Sequence, residues 1–143
     1  MADLFHDFPI NAPAARVFQA ISSPEGLATW WTLRSAGEVK EGGTIELWFG
    51  PEYDWRGVVR RFVLNSEFEL EIVCTDKDWN GTKVGFRLEE SNGTTSVSFY
   101  HKDWPKANGH FRRSNYCWAM YLRILRISLE RGDSVGYEYR LDV

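Results

Sequence analysis

The chain has only two cysteines, Cys74 and Cys117, 43 residues apart and outside any CxxC spacing. That excludes a disulfide-stapled scaffold and a CxxC redox or zinc motif, and leaves two small buried hydrophobes in a reducing compartment. Charge of one sign is also lacking. Seventeen basic residues against twenty acidic ones give a formal charge of -3, so no general field attracts phosphate backbones, and nucleic acid is not expected as a partner. No apolar run approaches the roughly 18 residues a membrane span needs. The opening residues Met1 to Asp7 carry neither a basic region nor an apolar stretch, so no secretory signal is read there and the cytoplasm is the expected location. Also absent are repeats, long linkers, a GxSxG elbow, a Walker-type loop and a dinucleotide fingerprint. No catalytic residue, cofactor or metal is expected on these grounds.

What the sequence has in quantity is aromatic rings: seven Trp, six Tyr and nine Phe make up 15% of it. Rings occupy large volumes with few rotatable bonds, which suits a thick core or the wall of a cavity equally well.

Read in order, Leu4, Phe5, Phe8 and Ile10 predict a strand. Asn11-Ala12-Pro13 then starts a helix, with Asn11 or Ala12 as cap and Pro13 in the first turn. Val17, Phe18 and Ile21 keep helical spacing. Ser22-Ser23-Pro24 ends that helix and caps a second short one carrying Leu27, Trp30 and Trp31.

From residue 36 the period changes to two. Ile45, Leu47 and Phe49, then Phe68, Leu70, Ile72 and Cys74, then Val84, Phe86 and Leu88, then Val97, Phe99 and His101 alternate with polar residues. Gly42-Gly43, Asn65-Ser66, Asn80-Gly81 and Asn92-Gly93 lie between such runs as tight turns, so the strands are antiparallel. Residues 55 to 63 alternate poorly: Arg60-Arg61 interrupts the pattern, and Gly57 is where a bulge is expected. Residues 109 to 131 predict a helix of about 34 Å. Phe111, Trp118, Leu122, Leu125 and Leu129 form one stripe, with Asn115 among them, and Gly132 is the stop.

This order of strand, two short helices, six strands and long helix resembles the helix-grip fold of the START-like (SRPBCC, birch-pollen-allergen) superfamily. The segments Ile10 to Phe18, Pro24-Glu25-Gly26-Leu27 with Trp30-Trp31, Gly42-Gly43, and Trp118, Leu122, Leu125 and Leu129-Glu130 are similar to the domain type named for the activator of the heat shock protein 90 ATPase. The expected fold class is therefore α+β: a seven-stranded curved antiparallel sheet around a long C-terminal helix, in one domain over residues 1–143. The resemblance implies a cavity between sheet and helix for a small hydrophobic or amphipathic ligand, lipid-like or aromatic and polyketide-like. It also implies two alternatives. One is action on a chaperone ATPase, although the eukaryotic activator carries a further N-terminal domain for which 143 residues leave no room. The other is cyclase or dehydratase chemistry in the cavity.

Nine residues are candidates for contact with such a ligand: Trp30, Trp31, Phe49, Trp55, Phe86, Phe99, His101, Trp118 and Leu122. Trp30 and Trp31 are adjacent at a helix end, so only one of them can easily enter the core, and the pair reads as a cavity mouth or as packing. Phe49, Phe86 and Phe99 face inward from three strands opposite Trp118, as cavity lining or as solid core. His101 shares their face, as a ligand hydrogen bonder or as a structural histidine. His101, Asp103 and His110 have ligand-type side chains, but a Trp104-Pro105 turn separates them and the spacing matches no zinc pattern. Glu67, Glu69 and Glu71 read as a solvated strand face.

An extended tail, residues 133–143, is expected to pack on the domain. Val135, Tyr137, Tyr139, Leu141 and Val143 alternate with polar residues as in a strand with one buried face. Tyr116, Met120, Ile124 and Ile127 form a second apolar patch on the long helix, and the tail is the expected cover, within one chain or across a homodimer.

Overall fold

The computed structural model describes residues 1–142. A first strand, β1 (Ala2–Ile10), leads into two short helices, α1 (Ala14–Ser22) and α2 (Pro24–Trp30). Six strands follow: β2 (Arg34–Gly37), β3 (Thr44–Trp48), β4 (Asp54–Val63), β5 (Glu67–Val73), β6 (Lys83–Ser91) and β7 (Thr94–Trp104). A 23-residue helix, α3 (Gly109–Arg131), closes the domain, and a short 3-10 turn (Tyr137–Asp142) ends the described chain. All seven strands form one antiparallel sheet in the order β1-β7-β6-β5-β4-β3-β2. Five consecutive hairpins build it from β2 to β7, and β1 returns alongside β7, leaving β1 and β2 as its edges.

Local chemistry explains the connections. Asn92 and Gly93 both have positive φ, 54° and 79°, in the two residues between β6 and β7, which is what a tight primed hairpin turn demands. Ser23 caps α2, its Oγ accepting from the Gly26 N–H at 2.9 Å. Gly26 permits the α1–α2 corner, because a Cβ there would lie 2.4 Å from the Gln19 carbonyl oxygen. At the start of α1 neither Asn11 nor Ala12 supplies a side-chain cap. Pro13 holds the cap position, and Glu90 of β6 accepts from the Ala14 N–H at 2.6 Å instead. A carboxylate at a helix N-terminus also complements the helix dipole.

The irregularity in β4 falls at Arg60, between Val59 and Arg61, and not at Gly57. One extra residue there lets Arg60 and Arg61 both point to solvent, where they meet Glu71 and Glu67. Gly57 stays in register and faces inward, where Leu47 and Leu70 press on the space a side chain would need.

On the inner face Phe68, Leu70, Ile72, Val84, Phe86, Leu88, Val97 and Phe99 are buried, and α3 adds Trp118, Leu122 and Leu125. Asn115, placed on that stripe by its angle, is exposed, and Ser114 is buried in its place. Asn108 caps α3, accepting from the Phe111 N–H at 2.9 Å, and Gly132 ends it with φ of 72°.

The tail is where local pattern misleads. Its alternation predicts a strand, but Tyr137–Asp142 is a 3-10 turn, with Tyr139 and Leu141 exposed. A strand needs a neighbouring edge for its backbone groups. Here a side chain does the anchoring instead. Arg140, only 5% exposed, donates from Nε to the Val135 carbonyl (3.2 Å), from one terminal nitrogen to Thr32 (3.1 Å) and from the other to Ala28 (2.8 Å). The last two are carbonyls at the C-terminal end of α2, where a cation is favoured. Of the second helix patch, Met120 and Ile124 are buried while Tyr116 remains 80% exposed. Val143 lies outside the described residues.

Candidate functional site

Five aromatic side chains close a circuit. Trp31 meets Phe49 (5.6 Å between ring centres), Phe49 meets Trp55 (5.8 Å), Trp55 meets Trp79 (5.0 Å), Trp79 meets Trp118 (5.9 Å) and Trp118 meets Trp31 (5.1 Å). These rings come from places where regular structure stops or starts. Trp31 ends α2, Phe49 follows β3, Trp55 begins β4, Trp79 lies in the β5–β6 connection, and only Trp118 is mid-element, on α3. All five line an open cleft of about 470 Å³ between the sheet's end and α3. The helix completes it with residues three or four apart, Arg113, Ser114, Cys117 and Tyr121, and the tail contributes Tyr137 and Leu141. Burial pushes the Tyr121 phenol up to about 12, so it serves the cleft as a neutral hydroxyl.

Trp31, Phe49, Trp55 and Trp118 are thus brought together at the cleft, and the other sequence candidates are not. Trp30 is buried beside Trp31, stacked on it at 5.9 Å, with its Nε1–H donated to the Ala20 carbonyl at 2.9 Å. Both tryptophans of the pair enter the interior, because α2 ends at Trp30 and the altered backbone at Trp31 redirects the second ring. Phe86 and Phe99 pack behind Trp118, with Phe99 and Trp118 4.6 Å apart and Phe86 and Phe99 5.2 Å apart. The expected opening between mid-sheet and mid-helix is filled there. Leu122 is buried and borders a different, smaller groove beside β1.

His101 is wholly buried, and both ring nitrogens are occupied. The Trp118 indole N–H donates to Nδ1 at 3.0 Å, and Nε2 lies 2.8 Å from the Thr82 hydroxyl, which itself donates to the Trp79 carbonyl at 2.6 Å. Because Trp118 can only donate and the Thr82 proton is committed, the imidazole carries its proton on Nε2. Burial pulls its pKa down to about 3, so it is neutral at ordinary pH. It has no nitrogen left for a ligand. Its part is to tie Trp118 to the connection that carries Trp79, two walls of the cleft.

The spacing of His101, Asp103 and His110 brings no cluster together. Asp103 pairs with Lys83 at 2.9 Å, while His110 meets Asp78 at 3.0 Å and Asp76 at 3.9 Å. Asp76, Asp78 and His110 do place three ligand-type atoms within 4.8 Å of one another. These carboxylates are already engaged. Asp76 accepts from the backbone N–H groups of Asp78 and Trp79, and Asp78 accepts from Asn108 and from His110 Nδ1, which together hold its carboxyl below the usual range. The arrangement fastens the Trp79 connection to the start of α3, and it orients His110 in the cleft wall.

Sequence reading missed Trp79, Tyr53, His110, Arg113, Ser114, Cys117, Tyr121, Tyr137 and Leu141 as cleft residues. Ser114 and Tyr121 were within reach of it, lying four and three residues from Trp118 on the same helix face.

Comparison with solved structures places this fold among known ones. The solution structure of the Aha1 dimer from Colwellia psychrerythraea matches at TM-score 0.84 and 27% identity, covering 94% of this chain and 100% of that one. A crystal structure of a Staphylococcus saprophyticus protein matches at 0.76 and 23% identity (94% and 96% covered), and a Bacillus halodurans protein at 0.74 and 22% (91% and 98%). No curated protein matches significantly. Residues 11–130 match the family model described as Activator of Hsp90 ATPase homolog 1-like protein, so the chain belongs to that family.

Proposed function

We propose that the protein is a binding module that holds a small hydrophobic or amphipathic molecule, lipid-like or aromatic and polyketide-like, in the cleft between sheet and α3. The observation that carries this reading is the five-ring circuit around about 470 Å³ of open space, a volume of the size small-ligand sites have. The cytoplasm fits it, since Cys74 and Cys117 are unpaired. The cyclase or dehydratase alternative is supported less well, because His101 is neutral and fully hydrogen-bonded behind the cleft. Native mass spectrometry of gently purified protein, offered fatty acids, flavonoids and polyketide-like compounds, tests the reading. A one-to-one complex that is lost in Trp55→Ala is expected; no complex with any compound overturns it.

A second reading, stimulation of an Hsp90-type ATPase, is favoured by the family's description. Measuring chaperone ATPase rate with and without the protein decides it, an unchanged rate removing it. The Colwellia relative is a dimer, and we propose the same assembly here. Light scattering that returns the monomer mass at every concentration counts against it.

A further inference from the structure

We infer that the cleft takes a planar aromatic anion, an arylcarboxylate above all, with its rings against the tryptophan walls and its carboxylate on Arg113. This rests on the binding reading above and narrows it to one ligand class.

Three observations converge. First, among the described residues Arg113 is the one Lys or Arg side chain in the cleft wall, and no described Asp or Glu lines it, although the chain as a whole carries a formal charge of -3. The cleft therefore runs against the average field of the molecule, as a site selecting anions does. Second, among the described residues Arg113 forms no ion pair, a state it shares with Arg16, Arg34, Arg112, Arg123, Arg131 and Arg140, and of the unpaired arginines it is the one in the cleft wall. Its planar fork of donors is free to meet a carboxylate arriving from solvent. Third, the buried Arg140 guanidinium, held by three backbone carbonyls and not by a carboxylate, lies beside Tyr121 and Tyr137. A second positive charge, partly offset by Glu138, thus stands behind two residues of the cleft wall.

The walls select the rest of the ligand. A lining that includes Trp55, Trp79 and Trp118 suits a fused ring system, which gains from aromatic contact what a flexible alkyl chain does not, and loses less conformational freedom on binding. One solvent-exposed guanidinium matches a single carboxylate better than a doubly charged phosphate.

The test is isothermal titration calorimetry with three probes: 2-naphthoate, the neutral 2-naphthalenemethanol and the flexible anion decanoate. Wild-type protein is expected to bind naphthoate about fivefold more tightly than the alcohol, the scale of one exposed ion pair, and more tightly than decanoate. Arg113→Gln, at an exposed helix position, is expected to erase the preference over the alcohol through a loss of naphthoate affinity that exceeds any change in the alcohol's own. If the alcohol binds as well as naphthoate, or the preference persists in Arg113→Gln, the anion assignment fails and the binding cleft stands. If decanoate binds best, the aromatic assignment fails. If neither naphthalene compound binds, this inference fails, and the mass-spectrometric panel separately decides the cleft.

Discussion

Trp118 has two sides, built from the same kind of residue and behaving oppositely. Behind it, Phe99, Phe86 and Trp30 close up into a filled core. In front, Trp31, Phe49, Trp55 and Trp79 surround a space they do not fill. Composition does not separate the two sets, and neither does hydrophobicity. Position along the element does. The core phenylalanines sit in mid-strand, where α3 and α2 cover them, whereas the cleft rings sit at strand ends and in connections, past the point where the sheet supplies a second layer. Rings at the margin of the sheet become walls because, among the described residues, nothing fills the space they enclose.

Substitution on either side breaks or sharpens that contrast. Phe99→Ala removes a buried ring from close packing and is expected to cost about 3–5 kcal/mol in urea unfolding. Trp55→Ala removes a larger but half-buried ring and is expected to cost about 1–2 kcal/mol, since less of its surface leaves water on folding. Equal losses would mean that the cleft walls are core after all.

Acid tests the hinge between the two regions. His101 has its folded pKa depressed to about 3, below the ordinary 6.5, so the unfolded chain binds the extra proton throughout the window between those values. Stability is therefore fully present above pH 6.5 and falls as pH drops toward 3. By pH 5, where ordinary carboxylates are still largely ionised, the loss is expected to reach about 2 kcal/mol. Urea titrations at pH 7 and pH 5 measure it. His101→Gln, which cannot titrate, is expected to be less stable at pH 7 and to show a smaller difference between the two pH values. A wild-type protein equally stable at both would mean that the imidazole is not locked between Trp118 and Thr82.

The fold was legible because it is written in local signals that agree with one another: a period of two, Asn-Gly at a primed turn, Ser before Pro-Glu-Gly, Gly after the last helix. The bulge was half legible, since the Arg60-Arg61 pair announced that two outward residues had to be fitted, and only the sheet register could say where. The site was less so. Inward direction in a strand distinguishes Phe99 from its neighbours but cannot say whether another ring lies 4.6 Å beyond it. Trp79 sits in a polar loop, Asp76-Lys77-Asp78-Trp79-Asn80, with no periodicity to aim it. It is aimed by Asp76 and Thr82, through hydrogen bonds invisible to pattern. The tail misled for a related reason: its alternation was real, but a strand needs an edge, and Arg140 found the end of α2 instead.

That anchor gives the next smaller effect. Arg140→Ala removes three hydrogen bonds from a buried cation, and with them the hold on Tyr137 and Leu141 at the cleft. About 1–2 kcal/mol of stability is expected to go, most of the individual bond strengths being offset by the desolvation that the guanidinium no longer suffers. Truncation after Asp133 is expected to lower the melting temperature similarly. An Arg140→Ala protein with wild-type stability and unchanged hydrogen exchange at Tyr137 would show the tail to be no part of the cleft.

The smallest effect is the most local. Cys117 lies in the cleft wall one residue before Trp118, while Cys74 lies at the end of β5, where burial pushes its thiol up. In a Cys74→Ser protein the remaining thiol reports on the cleft alone, and Cys117→Ser itself is expected to change stability by no more than about 0.5 kcal/mol. Maleimide should modify Cys117 in the free protein, and a saturating aromatic ligand should slow that reaction several-fold. Modification at the same rate with and without a bound ligand would place the ligand elsewhere, and would return Trp118 to being a core residue with one loosely covered face.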